Sequence, residues 1–260
     1  YNFASGSGDA LAYDSLKSVK QEKRYEKYFS NQMIIYRVGT AISTLCAGVA
    51  LFMGYRLAYV ISALWHVPIL ILTGALVEVR VEALDKEYPD VKRIIRELLK
   101  YFADSIRFLK DNLKATKLMF ANSFVGAMDI LLLFFLQAKL TSAGIDNRAL
   151  GIALFIMEMG GIVGSKLILK AKKARYASIF ITCSIGVAAG ICLEHTGWIP
   201  LMVLGGFLSA MADDALQIRT DAKLQDMFPS EQRATLISMG SFTFSVIMIV
   251  LSPLAGYFFS

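Results

Sequence analysis

The sequence predicts an all-α integral membrane protein, a polytopic helical bundle, and three observations carry that expectation. Hydrophobic residues make up 56% of the 260 and charged residues only 18%, well above the apolar and below the charged share of a soluble domain. The apolar residues gather in runs long enough, or nearly so, to cross about 30 Å of hydrocarbon as roughly 20 helical residues. Between the runs, lysines and arginines crowd onto alternate connectors, the pattern that places basic connectors in the cytoplasm. The net charge of +6 therefore reads as topogenic. A nucleic-acid partner would need those basic residues on one soluble face, and here they fall between spans.

Taken in order, residues 1–16 predict the inner end of one span and Met33–Tyr55 the first whole one. Leu57–Val77 follows with His66 and Pro68 inside it. Leu118–Leu140, Ala149–Leu169, Tyr176–Leu193, the stretch from Trp198 to about Gln217, and Ala234–Ser260 complete the set. The two less uniform runs, Leu57–Val77 and the one from Trp198, stay credible because bundle neighbours can satisfy their polar groups. The sequence starts at Tyr1 inside a helical pattern, so an excerpt of a longer architecture is the expectation.

Alternating the sides tests this reading. One side receives Lys17, Lys20, Lys23, Arg24 and Lys27, then ten more basic residues from Glu78 to Lys117, then Lys166, Lys170, Lys172, Lys173 and Arg175, then Arg219, Lys223 and Arg233. The other side holds only Arg56, Lys139 and Arg148. The basic side is predicted to be cytoplasmic. Within the long connector, Val91, Ile94, Ile95, Leu98, Phe102, Ile106, Leu109 and Leu113 recur at helical spacing after Pro89, which predicts an amphipathic helix on the inner membrane face.

Other motifs point away from catalysis. Cys46, Cys183 and Cys192 lie in or at the ends of apolar runs with no CxxC spacing, so they read as packing residues, with no metal expected. His66 and His195 are too far apart in sequence, and too lacking in company, to suggest catalysis, and His195 with Glu194 is expected at the outer surface. No GxxxxGK[ST] occurs, so no resident nucleotide and no cofactor is expected. Gly160 with Gly164 and Gly186 with Gly190 are small-xxx-small pairs that let helices approach closely.

Two segments resemble each other. The opening SGSGDALAYDSLK and the late SAMADDALQIRTDAK share a run of small residues followed by Asp-Ala-Leu, at Asp9 and at Asp214. Each precedes a polar connector, an arginine entering the next span, Arg37 or Arg233, and a long apolar helix. Such a parallel repeat across a long cytoplasmic connector is the arrangement of two transporter halves. SGSGDALAYDSLK resembles the end of the fourth helix of the major facilitator superfamily, and FPSEQRATLISMGSF resembles the entry to its eleventh.

The resemblance spans the whole chain as helices four, in part, to eleven. It implies a truncated facilitator bundle with residues 1–77 closing the first half, 78–117 as cytoplasmic linker and 118–260 as a second half without its last helix. The loop GSKLILKAKKARY keeps the glycine and basic cluster of the family's loop signature and lacks its acidic residue. Similarity to bacterial drug and metabolite exporters implies proton-coupled efflux of a small organic molecule through the plasma membrane by a monomer. Nutrient uptake on the same fold and a non-transporting receptor or scaffold are the alternatives.

Intramembrane charges are the informative residues, because one near the bilayer centre costs about 2.5 to 3.5 kcal/mol on insertion scales and faces a cavity or a partner. Asp129 shares a helical face with Asn122, Gly126 and Gln137; Glu158 shares one with Gly151, Gly161 and Ser165; Asp213 lies with Gly206, Ser209, Gln217 and Thr220. These three, with Asp214 and Asp9 of the repeated segments, are the candidate proton-coupling or cavity residues. Asp14, Arg37, Asp221 and Arg233 fall nearer the inner ends and are the candidate cytoplasmic gate. Phe124, Phe134, Phe155, Phe242 and Phe244 are weaker candidates for an apolar pocket.

Overall fold

The computed structural model describes residues 2–75 and 91–259, and every regular element in them is helical. Nine α-helices run in chain order among these residues: α1 Asn2–Ser18, α2 Tyr25–Met53, α3 Tyr55–Gly74, α4 Val91–Asp111, α5 Leu113–Ser142, α6 Asn147–Lys170, α7 Tyr176–Glu194, α8 Ile199–Met227 and α9 Arg233–Phe259. Five of them, α5 to α9, are long and apolar enough to cross a membrane, which makes this a multi-pass membrane protein by length and composition. The expected spans in α2 and α3 are not among the five. The described apolar stretch of α3 is the shorter Tyr59–Gly74.

Several boundaries move outward from the apolar runs, for a common reason. α2 starts at Tyr25, not at Met33, because Tyr25 and Phe29 stand one turn apart and are both buried. Their rings stack at 6.0 Å, and Tyr13 of α1 meets Tyr25 edge-on at 5.2 Å. Similarly α8 runs ten residues beyond Gln217 to Met227, since Ile218, Thr220, Leu224 and Gln225 turn inward while the charged residues between them read as a connector. α2 and α3 are separated at Gly54, whose φ of +76° and ψ of 150° belong to a region open to glycine.

The expected amphipathic helix is α4, and the part of its connector at 76–90 lies outside the described residues. Leu109 is buried, and Phe108 meets Phe228 edge-on at 6.1 Å. Asn112 then turns the chain into α5: its side chain accepts the Ala115 amide at 3.2 Å, an N-cap that satisfies one of the new helix's free donors. The Thr116 hydroxyl donates back to the Leu109 carbonyl at 2.6 Å, tying the two helices across the corner.

α8 is the centre of the bundle, with 61% of its most apolar stretch buried against 11% for α9. It packs on α6 and α7 on two sides and on α5 and α2 on others. Lipid supplies no hydrophobic drive between helices, so close backbone contact has to do the joining. The small-xxx-small pairs sit at those contacts. A methyl added at Gly160 would collide with the backbone carbonyl of Phe207, and one at Gly164 with that of Met211. Across the α7–α8 contact, a methyl on either Gly190 or Gly205 would stand 2.8 Å from the other's carbonyl oxygen. These glycines join helices within one chain.

Cys183 is buried in α7 as expected, whereas Cys192 is exposed near its end; the side chain of Cys46 lies outside the described set. The α6–α8 contact makes a direct prediction. Gly160→Ala should lower stability by about 1–3 kcal/mol, because the clash is with backbone that cannot rotate away. Gly240→Ala, whose methyl would meet only the Met119 side chain at 3.5 Å, should leave stability level or raise it by up to about 1 kcal/mol through helix propensity. Unfolding of both in mixed micelles, followed by circular dichroism, checks the contrast.

Candidate functional site

Four helices place charge at their midpoints. Arg37 in α2, Asp129 in α5, Glu158 in α6 and the pair Asp213 and Asp214 in α8 all lie within two residues of the middle of their helices. α5 to α8 alternate in direction, so midpoints meet in one layer whichever way each helix runs. There each nitrogen of the Arg37 guanidinium donates to a carboxylate. Its Nε donates to Asp214 Oδ2 at 2.9 Å and its Nη2 to Asp214 Oδ1 at 2.6 Å, while Nη1 donates to Glu158 Oε2 at 2.9 Å. The Asp214 side chain is fully buried, and those of Arg37 and Glu158 are 10% and 17% exposed. Two parallel N–H···O bonds to one carboxylate are the strong, geometrically specific form of ion pair.

Gly161, one turn past Glu158, makes that fork possible. A methyl there would lie 2.5 Å from Asp214 Oδ2 and 2.6 Å from Arg37 Nε. A second pair of acids adjoins the fork. Asp129 Oδ1 accepts the Ser209 hydroxyl at 2.5 Å, while its Oδ2 is buried with no hydrogen-bond partner. Ser209 precedes Asp213 by one turn of α8, and Asp213 lies against the α5 backbone, where a methyl on Gly126 would stand 3.4 Å from its Oδ1. Asp213 is buried and makes no hydrogen bond or ion pair among the described residues. Arg37, Glu158 and Asp214 all act electrostatically on Asp129, and Asp129, Asp214 and Arg37 act on Asp213. The layer is one electrostatic unit with four acids to one base.

A second polar layer lies at the end of the bundle where α1 and α8 finish and α2 and α9 begin. Arg233, 1% exposed, pairs with Asp14 of α1 and lies 4.3 Å above the Tyr13 ring. Its Nη2 also donates to the Phe228 carbonyl at 2.8 Å, so it caps the C-terminus of α8. Tyr13 donates to Asp226 at 2.8 Å, Tyr25 donates to Asp221 at 2.8 Å, and Gln225 donates to the Tyr25 hydroxyl at 3.2 Å. Arg219 pairs with Glu26 of α2 at 3.0 Å and caps α6 through the carbonyls of Ile168 and Ala171.

The sequence-predicted residues therefore divide differently from expectation. Asp129, Glu158, Asp213 and Asp214 come together as expected. Arg37, expected with the gate residues near the inner end, sits instead in the middle layer, because α2 begins eight residues earlier than its apolar run and carries Arg37 three turns in. Asp9 moves the other way: it lies half-buried on α1, where its charge acts on Tyr25 and Asp221 of the end layer. Asp14, Asp221 and Arg233 share that layer, as expected. Tyr13, Tyr25, Gln225 and Arg219 are contributors that the sequence does not single out, and Ser209, which spacing places on the Asp213 face, bonds Asp129, since only the fold shows which hydroxyl or amide faces an acid.

The aromatic candidates do not assemble: Phe124, Phe134 and Phe242 are exposed, and Phe155 and Phe244 are half-buried on separate helices. No group of three or more metal-ligating side chains is found among the described residues. No protein family, curated protein or solved structure matches this chain.

The fork predicts a pattern of coupling. Arg37→Gln should cost about 3–5 kcal/mol, because it strands two carboxylates in a dry layer, and Asp214→Asn should cost a similar amount by stranding part of the guanidinium. The double variant should cost less than the sum of the singles by more than about 1 kcal/mol. A double-mutant cycle of unfolding free energies in micelles measures it.

Proposed function

We propose that this chain is the working part of a secondary transporter of the major facilitator type, moving a small organic molecule out across the cell membrane by alternating access coupled to protons. The observation that carries the reading is the acid-rich layer halfway along four helices, with one guanidinium shared by α2, α6 and α8. Charge at that depth is costly and marks substrate or ion pathways, and facilitator-type sites lie near the midplane between two repeats. Glu158 and Asp214 share the one guanidinium, and Asp129 and Asp213 have no basic partner in the layer, so acids outnumber bases. Mobile protons, or a cationic solute, discharge such a surplus.

The ion pairs follow the repeat by helix and not by residue, since Arg233 pairs with Asp14 and not with Asp9, the counterpart of Asp214. If α1 corresponds to α8 and α2 to α9, as their Asp-Ala-Leu segments and following arginines imply, then exchanging the members of each pair turns the Arg37 contact from α2 to α8 into a contact from α9 to α1. Arg233 makes that contact with Asp14. The two arginines then bind the early helices to the late ones at two depths. A proton arriving on Glu158 or Asp214 removes a charge that holds Arg37, and α2 is freed to move against α6 and α8. Rocking of the halves follows when the deeper fork and the end-layer pair open in turn.

Proteoliposomes with an imposed proton gradient and a panel of organic dyes test this. Wild-type protein is expected to move at least one dye with the gradient, and Glu158→Gln or Asp129→Asn to lose tenfold or more of that coupled flux while still binding dye. Gradient-driven flux unchanged in both variants would remove the layer from the coupling mechanism, and specific binding without any flux would favour a receptor.

A further inference from the structure

We propose that a groove between α5 and α7, at the end of the bundle that carries α4, holds one anionic phospholipid of the basic-side leaflet. The groove is open to the outside and has a volume of about 450 Å³. Leu118 and Ala121 of α5 form its floor, Tyr176 and Phe180 of α7 its wall, and Lys114 and Lys117 its rim. It is far from the charge layer and independent of the transport reading, requiring only that the helices cross a membrane.

The lining has the two-part chemistry of a phospholipid. Its interior is apolar, and Ala121 leaves the notch that a larger side chain would fill. Its wall is a rigid aromatic surface, because the Tyr176 and Phe180 rings stack at 6.5 Å and the Tyr176 hydroxyl is held by Thr220 at 2.8 Å. Tyrosine at the end of a spanning helix sits at headgroup depth. The rim is cationic without internal compensation: Lys114 and Lys117 are exposed, and neither makes an ion pair among the described residues. Lys223 stands 4.8 Å from the centre of the Tyr176 ring, and Arg175 immediately precedes Tyr176. Among the described residues, no acidic side chain lines the groove.

Charge complementarity selects the occupant. A neutral lipid or a buried apolar peptide would fit the floor and leave the lysine rim unused, whereas an anionic headgroup uses both parts. Basic pockets between spanning helices on the cytoplasmic side bind such headgroups, at roughly 1 kcal/mol, about fivefold, per lysine. The end of α5 that bears these lysines is the one the basic connectors mark as cytoplasmic, so headgroup and rim meet at the same depth.

Native mass spectrometry of the purified protein, offered equal amounts of phosphatidylglycerol and phosphatidylcholine with the same chains, tests the proposal. One phosphatidylglycerol should be retained in clear preference, and Lys114→Gln with Lys117→Gln should weaken its retention by about thirtyfold. Lys172→Gln with Lys173→Gln, outside the groove, should change it little. Ala121→Trp keeps both lysines and fills the notch, and it should abolish retention of that lipid. Equal retention of the two lipids, unchanged retention in the Lys114 and Lys117 double variant, or displacement of the lipid by inorganic phosphate would each overturn the assignment. If the tryptophan variant does not fold, the lysine pair, on exposed side chains, decides the matter.

Discussion

Arg37 holds the middle of this bundle in a way that packing alone does not. In water, the helices would be driven together by burial of their apolar faces; in lipid, tails are as apolar as leucine, and association rests on contact and polar bonding. A guanidinium that reaches α8 with two bonds and α6 with a third fixes the relative rotation of three helices at once. The two bonds to Asp214 are buried, and the one to Glu158 is partly so. The cost of bringing those charges out of water is high, and a buried ion pair is as much a device of specificity as of stability. Here it sets which residue of α2 faces which residue of α8.

The glycines of α6 serve the same end. Gly160 and Gly164 let the α6 and α8 backbones touch, and Gly161, on the neighbouring stripe, opens the slot through which the Arg37 fork passes. Because the backbone contact lies directly beside the fork, the distance from Glu158 to Asp214 is set by main-chain atoms and not by flexible side chains. Asp129 and Ser209 extend the polar layer to α5, where one carboxylate oxygen is left without a hydrogen bond. The layer thus has a rigid part, in which every charged group is matched, and an adjoining part with unmatched acids. On α8 the matched acid, Asp214, and the unmatched one, Asp213, are consecutive residues.

Much of this was legible in the sequence. The alternation of basic connectors gave the helix order, the helical spacing after Pro89 gave α4, and mid-span acids at Asp129, Glu158 and Asp213 gave most of the charge layer. The acids could be read because a carboxylate inside an apolar run is costly and conspicuous. Arg37 could not be placed in the same way. It stands near the start of its apolar run, and only the aromatic turn of Tyr25 and Phe29, which extends α2 beyond that run, reveals its depth. The ten extra residues of α8 were hidden for the opposite reason: their charges imitate a connector while their buried face continues a helix. Partners such as Tyr25 and Gln225 carry no one-dimensional signal, and spacing puts Ser209 on the Asp213 face without showing that its hydroxyl bonds Asp129, since that role depends on which neighbour the fold supplies.

The corner at Asn112 has a mechanical consequence. α4 and α5 are joined by one residue, capped on one side and cross-tied by Thr116 to Leu109 on the other, so the connection has almost no slack. An amphipathic helix is held at the interface by its apolar face, whereas a spanning helix adjusts its tilt to the thickness of the hydrocarbon. Joined this tightly, neither can settle independently. A change in the tilt of α5 is therefore carried into α4 through a corner that cannot take it up.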